Sequence, residues 1–132
     1  MSTKSVAEKL FLKPGSTVWL SDPSRADLVG PLPADVRRAS NPDQATSAIV
    51  FAESAAAVRA SLDAHREALT RQDNLWVAYP KGGRADINRD SLWPILADYG
   101  MRPNTNVAID EVWSALRFRA NRKGEERFTG RR

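Results

Sequence analysis

The chain has 132 residues, 42% hydrophobic and 27% charged, which suits one domain with a core of its own. It holds no cysteine and one histidine, which excludes disulfides, Cys-ligated zinc, iron–sulfur clusters, a thiolate nucleophile and a His-rich metal site; no metal ligands are singled out, and only a metal held by carboxylates and phosphate oxygens stays open. The net charge is +4, and no stretch nears the ~20 apolar residues of a membrane span or the pattern of a secretory leader, so a cytoplasmic protein is expected.

Residues 5–12 read as a short helix with Val6, Leu10 and Phe11 apolar, and Lys13-Pro14-Gly15 as a turn. Residues 17–20, β-branched and aromatic, read as the first strand, ended by Ser21-Asp22-Pro23. Residues 28–33 (LVGPLP) read as loop, and residues 36–39 as a short edge strand. The apolar run 47–52 suits a strand covered on both faces. Ser54 is a natural N-cap for one helix to about Arg71, with Val58, Leu62, His65 and Leu69 along one face.

Residues 75–79 form the next buried strand, stopped by Pro80. The polar loop 81–86 (KGGRAD) leads to a helix capped by Asp90 or Ser91, with Pro94 in its first turn and Gly100 just past its end. Residues 106–109 and 113–119 are the last strands, too close together for a helix between them and so antiparallel. Residues from Gly124 onward read as disordered. Residues 117–132 carry seven Lys or Arg and two acids, so the high basicity belongs to the tail and the body is near neutral. The expectation is a small Rossmann-like three-layer α/β domain over residues 1–120, its sheet mostly parallel with an antiparallel C-terminal pair, followed by a basic flexible tail over 121–132.

Ligands of open α/β sheets bind beyond the carboxyl ends of the strands. Asp22, Glu53, Lys81, Asp110 and Glu111 stand just past such ends. If they share one crevice, the lysine could neutralise an anionic ligand and a partly buried carboxylate could act as a base. The alternative is a set of independent solvated residues where loops begin. Lys81 and Arg84, in a glycine-bearing loop before a helix, invite a phosphate reading against that of a plain flexible connection. The order is not that of a P-loop, and no G-x-G-x-x-G follows the first strand, so classical NAD or FAD binding is not expected. Asp110-Glu111-x-Trp113-Ser114 suits either a ligand platform with a stacking indole and polar anchors or a hairpin whose Trp113 packs on the sheet. His65, on an apolar helix face, reads as structural.

The runs KLFLKPGSTVWL, LVGPLP, NLWVAYPK, INRDSL and IDEVWSALRF occur in this order from Lys9 to about Arg119. In this the chain resembles a family of short bacterial proteins, the domain-of-unknown-function family 3052. That family usually has Trp-Pro-Lys-Lys where this chain has Tyr79-Pro80-Lys81-Gly82. It often has a lysine and a cysteine where Thr105 and Val107 stand, so no role needing the second lysine or the thiol carries over. The resemblance implies a Rossmann-like fold and no established activity. A looser likeness is to the second half of class I methyltransferases, whose glycine-rich first turn is missing after Leu20.

Together these features point to a ligand- or protein-binding or regulatory module, its partner a small anionic ligand or a protein. The alternative is a reduced methyltransferase-like or nucleotide-utilising enzyme, with Lys81 holding an anion and Asp110 or Glu111 as base. No cofactor is identified by the residues. Nucleic acid is suggested only by the basic tail.

Overall fold

The two most apolar runs of the sequence make the centre of the sheet. The computed structural model describes residues 5–72, 74–81 and 87–129. Strands β3 (Ser47–Phe51) and β4 (Leu75–Pro80) are buried along their whole length and pair in parallel. Strand β1 (Thr17–Leu20) pairs in parallel with β3, and the two-residue β2 (Arg37–Arg38) lies in parallel at its outer side. Strands β5 (Met101–Ala108) and β6 (Trp113–Ala120) form the antiparallel pair, with β6 seated against β4. The sheet order is β2-β1-β3-β4-β6-β5. The expected α/β architecture, mostly parallel with an antiparallel C-terminal pair, is the one observed.

Strand alternation builds two cores. Ala48, Val50, Leu75, Val77, Leu116 and Phe118 face one side, where helices α3 (Ala55–Ala64), α4 (Arg66–Thr70) and α5 (Arg89–Ala97) add Val58, Leu62, Leu69, Leu92 and Leu96. Ile49, Phe51, Trp76, Ala78, Trp113 and Ala115 face the other side, met by Ala7 of helix α1 (Val6–Lys9) and Val29 of helix α2 (Ala26–Val29). A buried polar staple joins α1 to the foot of β4. The Trp76 Nε1–H donates to Leu10 O at 2.9 Å and Asn74 Oδ1 at 2.8 Å, while Asn74 Nδ2 donates to Leu10 O at 3.0 Å. No helix among the described residues is long and apolar enough to cross a membrane.

Several local expectations are corrected. The helix after Ser54 breaks at His65 (φ −131°, ψ 35°), whose ring lies edge-on to Trp19 with centroids 5.0 Å apart. Leu62 and Leu69 reach the same core on either side of the break, so the apolar periodicity conceals it. Helix α5 is capped by Asn88, not Asp90 or Ser91. Asn88 Oδ1 accepts from the Asp90 and Ser91 N–H groups, and Ser91 Oγ accepts from Asn88 N–H. The earlier start places Pro94 inside the helix, where it removes one i to i−4 bond. Residues 26–29 are helical rather than wholly loop, and a 3₁₀ turn over Pro23–Arg25 precedes them. Strand β5 begins at Met101, five residues before the expected start, because edge pairing with a bulge tolerates Pro103 and the asparagines around it.

The described part of the expected disordered tail is tied down. Arg119 grips Glu125 with two bonds of 2.9 and 3.0 Å, Arg102 Nη1 lies 3.3 Å away, and the Arg122 N–H donates to the same carboxylate at 2.6 Å. The Arg119 bonds, with the Arg122 N–H and the Arg102 charge, hold the Glu125 carboxyl down at about 2. Arg127 bridges to Asp98 at 2.6 Å, and the Phe128 ring meets Trp93 edge-on.

Candidate functional site

The sheet order dictates where a crevice opens. From β1 the chain turns to α2 and β2, and from β3 it turns to α3 and β4 on the opposite face. The connections diverge between the neighbouring strands β1 and β3, and such a reversal leaves a gap beyond their carboxyl ends. Ser21 keeps the two ends in register: its N–H donates to Ile49 O at 2.9 Å, and its Oγ accepts from Phe51 N–H at 2.7 Å. A cleft of about 270 Å³ lies here, lined by Asp22, Arg25, Phe51, Ala52, Glu53, Ser54, Ala57 and Trp113.

Each polar group is set by a local rule. Asp22 caps the 3₁₀ turn, its Oδ1 accepting from Ser24 N–H at 3.1 Å and Ser24 Oγ–H at 2.6 Å. The Ser24 hydroxyl, its amide and the nearby Arg25 charge hold the Asp22 carboxyl below its ordinary range, so Asp22 works as a fixed negative charge and not as a base near neutrality. Pro23 starts the turn with its fixed φ, and the turn brings Arg25 back over the cleft. Arg25 Nη2 is 3.4 Å from Glu53 Oε2, and its Nε is 3.9 Å from Asp22 Oδ2. The guanidinium carbon stands 4.9 Å from the centroid of the Trp113 ring. That indole meets Phe51 edge-on at 6.2 Å, so the floor of the cleft is aromatic and apolar. Ser54 caps α3 by accepting from Ala57 N–H at 3.1 Å, which places the start of that helix on the wall.

No family model and no curated protein matches the chain. Among solved structures it is similar to LepI in complex with SAM, with a TM-score of 0.50 and 12% identity, covering 88% of this chain. The chain spans 39% of that protein's length. At such identity the likeness speaks for the shared fold alone.

Of the eight residues singled out from the sequence, Asp22, Glu53 and Trp113 meet in this cleft. Lys81 does not line it; its backbone N–H pairs with Val112 O at 2.8 Å. Arg84 lies outside the described residues. Asp110 Oδ1 accepts from both Val112 N–H and Trp113 N–H at 2.7 Å, so this carboxylate shapes the β5–β6 hairpin. Glu111 is exposed at the same turn. Ser114 points to the face opposite Trp113, where its hydroxyl donates to Val107 O at 3.0 Å and Asn106 Nδ2 donates to the Tyr79 hydroxyl. The alternation of a strand thus divides the Trp113-Ser114 pair that the sequence places side by side. Arg25 is the contributor missed by sequence reasoning. Its signal is present: an Asp N-cap, Pro at the next position and a cation three residues after the cap. A second cleft, of about 600 Å³, opens beyond β1 and β2, against Trp19, Leu20, Pro23 and Arg38.

Proposed function

We propose that the chain is a ligand-binding α/β module of Rossmann-like type, with its site in the cleft between the carboxyl ends of β1 and β3. The observation that carries this reading is the convergence of Asp22 and Arg25, Glu53, and Trp113, from three segments far apart in sequence, where the strand order reverses. Solvent-accessible charges over an aromatic floor combine the polar anchors and apolar wall of a small-molecule site. Charge balance departs from the anionic ligand expected from sequence, since the described lining has two carboxylates and one guanidinium. The mostly parallel sheet with its reversal of strand order and the resemblance to the domain-of-unknown-function family 3052 support the Rossmann-like assignment.

The likeness to a SAM complex favours a second reading, a reduced methyltransferase-like enzyme. Two features weigh against it. The turn after β1 has no glycine to let the protein backbone approach a ligand closely. A cleft of about 270 Å³ is also small for SAM, which would have to reach past residues 21–23 into the 600 Å³ cleft. A thermal-shift panel of SAM, adenine nucleotides, amino acids and amines separates the readings. The module reading expects a saturable rise in Tm with a small polar ligand, lost in Trp113→Ala and reduced in Glu53→Gln. A rise with SAM alone that survives in both variants overturns it, and silence across the panel counts against both readings.

A further inference from the structure

On the reading of this cleft as a ligand site, we infer that its ligand is a small organic cation, and that Arg25 is the internal occupant which such a ligand displaces. The guanidinium of Arg25 lies 4.9 Å from the Trp113 centroid and within 3.9 Å of one carboxylate and 3.4 Å of another. An aromatic face joined to carboxylates is the combination that binds guanidinium and alkylammonium ions. An anion would instead meet Asp22 and Glu53 on its way to the one guanidinium among the described lining residues.

Arg25 is held loosely. Its two contacts are long and single, and its side chain is 36% exposed, against 46% for Asp22 and 67% for Glu53. Arg119 and Glu125 show what a committed pair looks like in this same chain, with two parallel bonds of 2.9 and 3.0 Å. Arg25 ends a three-residue 3₁₀ turn, so a change of side-chain rotamer releases it without disturbing a strand. Ala52 and Ala57 on the wall leave room for a compact cation once the arginine has swung away.

The test is amide NMR of the labelled chain, titrated with methylguanidinium chloride, sodium acetate and sodium chloride, on the parent protein and on Arg25→Gln. Saturable shifts at Glu53, Ser54 and Trp113 are expected with methylguanidinium only. Arg25→Gln should saturate at a concentration at least about fivefold lower, because the tethered competitor at millimolar effective concentration is gone. Placed on Arg25→Gln, Trp113→Phe and Glu53→Gln should each weaken binding severalfold while keeping a dispersed folded spectrum. Equal affinity in the parent and Arg25→Gln overturns Arg25 as the occupant. Saturation by acetate and not by methylguanidinium overturns the cation class and leaves the cleft standing as a site. No saturation by either ion in Arg25→Gln overturns both.

Discussion

The two ends of the parallel sheet treat polar groups in opposite ways. At the amino end, Trp76 donates to Asn74, both donate to Leu10 O, and Asn74 Nδ2 also donates to Ser47 Oγ at 2.8 Å. Glu125 is likewise surrounded by Arg119, Arg102 and the Arg122 N–H. At the carboxyl end, one arginine is shared between the half-exposed Asp22 and the mostly exposed Glu53 over an open cleft. Polar groups that close on one another hold a fold together. Groups that face one another loosely across a gap can exchange partners, and that is what binding needs.

The largest effect that separates the two ends is expected from Asn74→Ala. Asn74 is 7% exposed, and its removal deletes the bonds to Leu10 O, Phe11 O and Ser47 Oγ and the one from Trp76 Nε1, and leaves the Ser47 hydroxyl short of a buried partner. A loss of roughly 2–3 kcal/mol in urea unfolding is expected, by the cost of lost and unsatisfied buried hydrogen bonds. Arg25→Gln at the other end should move the same measurement by less than about 0.5 kcal/mol, as exposed ion pairs do. Comparable losses at the two ends would erase the distinction.

What could be read from the sequence follows the same division. The buried strands and the parallel core were legible because five or six consecutive apolar residues suit few other settings. Asp22 and Glu53 can be placed just past strand ends, and Trp113 in the hairpin before the last strand, by counting along the chain. Arg25 was not so placed, because its position depends on a 3₁₀ turn of three residues too short to give a periodic signal. Asp110 carries two readings in the sequence, since an aspartate at a hairpin can serve a ligand or its own backbone, and only the geometry shows its carboxylate accepting from the Val112 and Trp113 N–H groups. The tail's contacts to Asp98, Trp93 and Arg102 are not legible because they lie more than 20 residues away in sequence, and the local Arg119–Glu125 pair reads as one more exposed charge pair until Arg102 is seen beside it.

A middle-sized effect is expected at Phe11, which also lies at the amino end. Helix α1 closes with Phe11 N–H donating to Glu8 O and Leu12 N–H to Ala7 O, the paired bonds that place a left-handed residue between them. That residue is Phe11, at φ 57°, where glycine is the common choice. Its ring, 43% exposed, stacks on Trp76 at 6.2 Å and lies under the Arg117 guanidinium. Phe11→Ala loses the ring and keeps the strained backbone, whereas Phe11→Gly loses the ring and relaxes it. Phe11→Gly should therefore be more stable than Phe11→Ala by about 1 kcal/mol in urea unfolding. Equal stability would mean that the backbone carries no strain there.

The smallest effect divides the amino end itself, through pH. The Glu125 carboxyl titrates at about 2 in the fold against an ordinary 4.5, so the folded chain holds that proton less readily than the unfolded chain. The tail contact therefore stabilises fully above about pH 4.5 and loses its contribution as pH falls through about 2. The Asn74–Trp76 staple carries no charge and should not follow pH at all. Tm measured against pH for the parent and Glu125→Gln should show the parent ahead near neutrality, and the two curves should converge as the carboxylate protonates. Exposure and salt keep the gap modest, and added salt should narrow it further. A gap that stays constant down to pH 2 would show that the Glu125 charge does not hold the tail, and would leave that role to Arg127 on Asp98 and Phe128 on Trp93.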